Sequence, residues 1–384
     1  MASLYSYVYA LALLGSLLAT PVLCLAHHDP HYYQKKHNVA LFAFGDSLFD
    51  PGNNNYINTT TLLQANFWPY GESFFKDPTG RFSDGRIVPD FIAEFAKLPL
   101  IPGYFQAEQG GFINGVNFAS GGAGSLPETY SEFYVFLAVH VINLKKQVQY
   151  FKNVAKQLKG KLGQKDSNKL LSSAVYMICI GSNDYIGPFI TNSTILNTYS
   201  HDEYVDMVIG NITNAIKEIY KEGGRKFVIY SVAPLGCIPF SRALKLQQTN
   251  RTGCFKELHV LTEMHNKALP RKLINLEKTL QGFKYSYFDF FTVVNNAIDH
   301  PSRYGLKEAK TACCGSGPYR GLPSCGGERR QFKEYELCKD VGDYLFFDFI
   351  HPTEKFNQLT ATLLWNGDSN FVRLYSVKSF FEQV

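Results

Sequence analysis

Val39-Ala40-Leu41-Phe42-Ala43-Phe44-Gly45-Asp46-Ser47-Leu48 is the stretch that decides the fold of this chain. Its first six residues are uniformly apolar, the pattern of a strand covered on both faces, and the Gly-Asp-Ser that follows is turn chemistry. Similar runs rich in Val, Ile, Phe and Tyr recur at 115–118, 175–180, 227–232 and 285–288. Helical patterns separate most of them. The clearest is Val141, Leu144, Val148, Phe151, Val154, Leu158 and Leu162, spaced by threes and fours in a stretch otherwise full of Lys and Gln; 204–220 and 258–280 behave alike. Strands alternating with helices predict a parallel sheet covered on both faces.

Outward from the first strand, three more patches follow in order: Gly115-Val116-Asn117-Phe118-Ala119-Ser120-Gly121-Gly122, Ile180-Gly181-Ser182-Asn183-Asp184, and Asp348-Phe349-Ile350-His351-Pro352. Ser47, Gly121-Gly122 and Asn183 each follow a predicted strand. Ligands of open α/β sheets bind beyond the carboxyl ends of strands, so the three should meet at one rim. Any one patch alone is weak, because most serines cap or decorate turns.

A serine hydroxyl needs a positioned base, and an imidazole needs a carboxylate that fixes its tautomer. Ser47 as nucleophile, His351 as base and Asp348 as acid fit those roles. The plainer reading of Asp348-x-x-His351 is a loop pair beside a helix start. It yields to the catalytic reading because the pair stands just before the final predicted helix, 353–364, where His351 can turn toward the sheet rim. A tetrahedral intermediate also needs donors for its oxygen. The Ser47 amide, the Gly122 amide and the Asn183 side chain would serve, with Gly121 nearly as good a candidate as Gly122; turn formation is the plainer role for all three. Asp46 adjoins the nucleophile but points away from it on a tight turn, which leaves it a supporting part, and 50–56, with three consecutive asparagines, reads as a hydrogen-bonded brace. His140, His259 and His265 fall in helical patterns and read as structural. No Gly-x-Ser-x-Gly elbow occurs, which argues against an ordinary α/β-hydrolase.

At 384 residues, 45% hydrophobic and 18% charged, the composition is that of a globular protein. The charge of +5 is dispersed, and its richest stretch, 145–161, reads as a solvated helix face, so nucleic acid is not an expected partner. Residues 1–26 carry no charged side chain, run apolar from 8 to 19 and end in Cys24-Leu25-Ala26, a small-x-small cleavage pattern. A secretory signal peptide over 1–26 and a single domain over 27–384 are the expectation. Four sequons, at Asn58, Asn192, Asn211 and Asn250, predict a glycoprotein outside the cytoplasm, extracellular or, as the alternative, vacuolar. Neither a lipid-anchor tail nor a retention signal is present, so no stable membrane anchor is expected.

With Cys24 lost with the signal, seven of the eight cysteines remain, and an odd count leaves at least one unpaired. Cys179, inside the apolar run 175–180, is the natural free thiol. Cys237 with Cys254 is the easiest pair to defend, while the pairing of Cys313, Cys314, Cys325 and Cys338 stays open. The stretch 303–343, rich in Gly, Pro and Cys, predicts a disulfide-tied excursion. No Cys-x-x-Cys or His-Glu-x-x-His spacing supports a metal site.

The blocks from Gly45 to Asn55, Asn117 to Ala123, Gly181 to Tyr185 and Asp348 to Glu354 resemble those of the plant GDSL esterase/lipase family, within the SGNH hydrolases. The likeness extends through Pro78-Thr79-Gly80-Arg81-Phe82-Ser83-Asp84-Gly85-Arg86, Ala233-Pro234-Leu235-Gly236-Cys237 and Cys313-Cys314-Gly315, and so spans 39–365. It implies a flavodoxin-like three-layer α/β/α sandwich, no cofactor, and hydrolysis of small ester or lipid substrates, with Ser47, Gly122, Asn183, Asp348 and His351 matching the family's functional positions. Trp68-Pro69-Tyr70-Gly71 and Leu98-Pro99-Leu100-Ile101-Pro102 look most like members linked to plant defence. Some relatives are acyltransferases and others non-catalytic binding companions, which remain the alternatives. Oligomeric state is not readable, and a groove lined from the 31 Phe and 24 Tyr is the expected substrate site.

Overall fold

The computed structural model describes residues 39–107, 111–130, 140–191, 193–330 and 332–382. Strand β1 (Leu41–Gly45) is buried along its whole length, as its unbroken apolar run requires. It pairs in parallel with β2 (Gly115–Asn117) on one side and β3 (Val175–Cys179) on the other. Parallel strands β4 (Lys226–Tyr230) and β5 (Lys284–Phe288) extend the sheet from β3. The alternation of strands and helices is therefore borne out.

Aromatic side chains fix the register. Phe42 faces Tyr176 on β3, which faces Phe227 on β4, with successive ring centroids 5.4 Å apart in both pairs. Cross-strand aromatic pairs of this kind favour one register over a slip, which would move each ring to the other face. Helix α1 (Val88–Phe95) precedes β2, and α2 (Leu144–Ser173) follows it. Phe151 of α2 meets the rings of Phe42, Phe44 and Tyr176 edge-on at 5.4, 5.7 and 5.6 Å, which docks the helix on the sheet. Its N-cap is Asn143, so Val141 lies ahead of the helix, and Gly163, at φ 77°, breaks it at the end of the apolar stripe.

After β3 come α3 (Ser182–Thr191) and α4 (His201–Lys221), the latter opened by a capping box of Ser200 and Glu203. Then follow α5 (Pro239–Thr249), α6 (Lys256–Thr279), α7 (Phe290–Asp299) and α8 (Glu354–Asn366). Helix α4 packs between α2 and α6, while α1 packs on α8. These groups form the outer layers of an α/β/α sandwich. The excursion over 303–343 is tied by Cys313–Cys338 and Cys314–Cys325 and carries a two-stranded ribbon, β6 (Cys314–Gly315) with β7 (Glu336–Leu337). Cys237–Cys254 is bonded, and Cys179 is a buried free thiol.

Two expectations need correction. The helix over 353–364 is not the last element: an antiparallel edge strand β8 (Val372–Arg373) pairs with β5, and a short helix α9 (Val377–Glu382) packs on α8. Two-residue strands leave too few alternating positions to read. His140 lies outside any helix, its amide donating to the Asn58 carbonyl. The described part of Asn38–Val384 forms one compact unit; the segment 1–26, where a signal peptide is expected, lies outside the described residues.

Candidate active site

The sheet order β2-β1-β3-β4-β5-β8 makes β1 the point where successive connections depart to opposite sides. At its carboxyl end the chain turns sharply, with the amides of Phe49 and Asp50 both donating to the Asp46 carbonyl. Gly45 is required here because a Cβ on it would stand 2.3 Å from the Cys179 carbonyl oxygen of β3. Its amide and carbonyl are both held by Gln147 of α2, at 2.9 and 2.7 Å. Gln147 is a buried polar residue on the apolar stripe of α2, and it fixes the residue two before Ser47.

His351 brings Nε2 to 2.7 Å from the Ser47 hydroxyl. Its Nδ1 lies 2.8 Å from both carboxylate oxygens of Asp348. Asp348 folds its own turn: Oδ1 accepts from the amides of Ile350 and His351, while the Phe347 amide donates to the His351 carbonyl. Thr353 then caps α8. The loop-pair reading and the Ser-facing geometry thus coexist in one short turn. Burial alone would drive the Asp348 carboxyl up; the His351 ring and the donors from Tyr70 and Ile350 outweigh it and hold the group below the usual carboxylate range. The Phe82 ring lies over His351, centroids 4.8 Å apart.

Gly122 and Asn183 line the same cleft as Ser47 and His351. Gly121 and Gly122 are not equivalent. The Gly121 amide donates to Asp50 Oδ2 at 2.8 Å, whereas Gly122, at φ 79°, carries the left-handed turn that faces the cleft. Asn183 sits in the first turn of α3, its Nδ2 donating to the Ala123 carbonyl and its Oδ1 accepting from Tyr130. The brace expected over 50–56 is present. Asp50 Oδ1 accepts from the amides of Gly52 and Asn53, Asn53 donates to the carbonyls of Asn117 and Ala119, and Asn54 donates to that of Gly121.

Burial raises Asp46 to about 7 and Asp50 to about 6. Asp46 Oδ1 accepts from the Leu48 amide, a turn-forming role. His259 and His265 lie in α6, and His265 is buried with Nδ1 bonded to the Tyr185 hydroxyl.

The cleft beside Ser47 is open to solvent on one side. Beyond the polar rim, its walls are Leu48, Ile186, Ile190, Leu235, Ile238, Phe240, Phe290, Val294, Phe346 and Phe349. Phe82 and Tyr130 join the phenylalanines of this lining, so the groove expected from Phe and Tyr carries aliphatic groups as well. Among the described residues no Lys, Arg or Glu lines it. Among the described residues no cluster of His, Cys, Asp and Glu could hold a metal ion.

Several contributors escaped sequence reasoning. Asp184 accepts from the amides of Ser125 and Leu126 and from Thr129, anchoring the chain just after Gly122. Its place beside Asn183 was the available signal. Tyr70 donates to Asp348 Oδ2, and no local pattern marks it.

A family model described as GDSL-like Lipase/Acylhydrolase matches residues 41–364. The chain is 49% identical over 345 residues to GDSL esterase/lipase 1 of Arabidopsis thaliana, covering 89% of this chain and 90% of that one. It is 48% identical to GDSL esterase/lipase 2 of the same plant, covering 89% of each. With a GDSL lipase of Tanacetum cinerariifolium it shares 45% identity over 369 residues, covering 96% and 94%.

Proposed function

The chain belongs to the GDSL-like lipase and acylhydrolase family, and from that premise we propose that it hydrolyses carboxylic esters through an acyl-enzyme on Ser47. The observation that carries the mechanism is the unbroken line of hydrogen bonds from Ser47 Oγ through His351 to Asp348. Ser47 Oγ attacks the acyl carbon while its proton passes to His351 Nε2, and Asp348 supports the imidazolium that forms. The oxygen that gains charge is held by the Ser47 and Gly122 amides and by Asn183 Nδ2. Gly122 lines the cleft beside Ser47, whereas the Gly121 amide is turned to Asp50, and this placement favours Gly122 for that role. Collapse expels the alcohol, which leaves with the proton from His351. Water then attacks the acyl-enzyme, gives its proton to His351, and the acid departs as Ser47 regains its hydrogen.

The cleft favours uncharged, apolar acyl or alcohol groups, since its walls are mostly aliphatic and phenylalanine side chains and hold no Lys or Arg among the described residues. Three disulfides fit an oxidising compartment, which supports secretion together with the apolar segment 1–26. Among the described residues no helix is long and apolar enough to cross a membrane. Asn58 and Asn250 are exposed and suit glycan attachment; Asn211 is half-buried in α4, its Nδ2 donating to the Met207 carbonyl, and Asn192 lies outside the described residues.

Turnover of p-nitrophenyl acetate and butyrate by the purified protein tests the proposal. Ser47→Ala should abolish it, with butyrate the better substrate for the parent. Equal rates in parent and Ser47→Ala would eliminate the mechanism and leave an ester-binding companion.

A further inference from the structure

Asp348 receives donors from two separate parts of the chain. On Oδ1 they are the amides of its own turn; on Oδ2 the donor is the Tyr70 hydroxyl, at 2.6 Å across 278 residues of sequence. The two oxygens stand equally far from His351 Nδ1. That symmetry needs a donor on each side of the carboxylate, because amides on Oδ1 alone leave the group able to pivot about that oxygen.

Tyr70 is fully buried, its ring wedged edge-on against Phe67 at 5.5 Å and Phe347 at 5.3 Å. A phenylalanine would fill the same space, and a buried hydroxyl is costly unless bonded. This hydroxyl has two charged partners. It donates to Asp348 and accepts from Arg330 Nη2 at 3.1 Å. Arg330 is itself clamped to the chain, donating to the carbonyls of Cys325, Thr61 and Gln64. Cys325 is bonded to Cys314, whose amide donates to the Phe347 carbonyl immediately before Asp348. The disulfide-tied excursion therefore reaches Asp348 twice, once through the backbone and once through Arg330 and Tyr70.

We propose that Tyr70 is a positioning residue for Asp348 and that Arg330 acts through it, so that the excursion sets the alignment of Asp348 with His351; the inference rests on the catalytic reading of Ser47, His351 and Asp348. The guanidinium withdraws charge from the phenol oxygen and strengthens its donation to the carboxylate, a charge-assisted bond. With the hydroxyl gone, Asp348 keeps more of its charge for the imidazolium but loses its fixed orientation.

Kinetics of Tyr70→Phe, Arg330→Gln and Ser47→Ala with p-nitrophenyl butyrate from pH 5 to 9, beside thermal melts, test this. Tyr70→Phe should lower kcat about tenfold with KM within about twofold, and move the acidic limb of kcat/KM up by roughly half a pH unit. Arg330→Gln should shift both in the same direction by less. A folded Tyr70→Phe with parental kcat and pH profile overturns the inference, as does a loss that vanishes once the assay is cooled well below the melting transition. Should Tyr70→Phe fail to fold, a parental profile in Arg330→Gln overturns it instead. Ser47→Ala at the parental rate removes the catalytic reading and this inference together, whereas an inactive Ser47→Ala beside an unaltered Tyr70→Phe removes this inference alone.

Discussion

Replacing Asn183 by alanine separates an oxyanion donor from a structural brace, because the two roles carry different magnitudes. The side chain makes two partly buried hydrogen bonds, Nδ2 to the Ala123 carbonyl at 3.0 Å and Oδ1 from Tyr130 at 3.2 Å. Losing both should cost about 1–3 kcal/mol of stability. A domain with a typical reserve of about 5–15 kcal/mol stays folded at assay temperature after such a loss. Removal of an oxyanion donor, by contrast, raises the barrier by about 3–4 kcal/mol, a fall of about 10²- to 10³-fold in kcat. The expected outcome is a folded variant, melting a few degrees lower, with kcat down by that factor and KM little changed. Initial rates with p-nitrophenyl butyrate and a thermal melt on the same sample decide it. A kcat within tenfold of the parent in a folded variant would refute the donor role, and Asn183 would then be a brace for the turn at Ala123. Asn183→Asp sharpens the comparison: it keeps the shape and the acceptor for Tyr130 but sets negative charge where negative charge develops, so it should fall below Asn183→Ala.

Gly45→Ala should prevent normal folding or lower the melting temperature sharply, because the new Cβ would stand 2.3 Å from the Cys179 carbonyl and push β1 from β3; a parental melt would show that the strands can give. His265 provides the pH test. Burial lowers its pKa from 6.5 to about 3, so the unfolded chain takes up this proton first as the medium acidifies. The stability tied to the neutral ring is complete above pH 6.5 and is lost as pH falls toward 3, at up to about 1.4 kcal/mol per unit. Urea melts at pH 7, 5 and 4 should show a shallower decline in His265→Gln than in the parent, and equal slopes would contradict the assignment.

What was legible in the sequence was what depends on neighbours along the chain. The strands show as apolar runs, Ser47 and Asn183 lie in turn-forming residues just past them, and Asp348 with His351 stand three residues apart at a helix start. Cys237 and Cys254, 17 residues apart, belong to the same class, and they are bonded. Gln147 was not legible, because on α2 it occupies a position the apolar stripe reserves for hydrophobes; its reason is the backbone of Gly45, 102 residues away. Tyr70 and Arg330 were hidden likewise. A tyrosine in a Trp-Pro-Tyr-Gly stretch carries no period, and its partner lies 278 residues on.

The same distinction explains how the site is held. Residues that would touch a substrate come from four short turns, and short turns are the least rigid part of any fold. Three of the four are tied down by buried polar groups from elsewhere in the chain: Gln147 grips Gly45 behind Ser47, Asp50 and Asp184 grip Gly121 and Ser125–Leu126 on either side of Gly122, and Tyr70 grips Asp348. Asp50 and Asp184 lie in the blocks quoted from the sequence, whereas Gln147 sits on the apolar stripe of α2. Tyr70 alone of these four residues is held by the disulfide-tied excursion, through Arg330; the excursion has no place in the sheet and would otherwise be a surface appendage. Its cost in chain entropy is offset by two cross-links, and its reach to Asp348 through Arg330 and Tyr70 gives those cross-links a target inside the site.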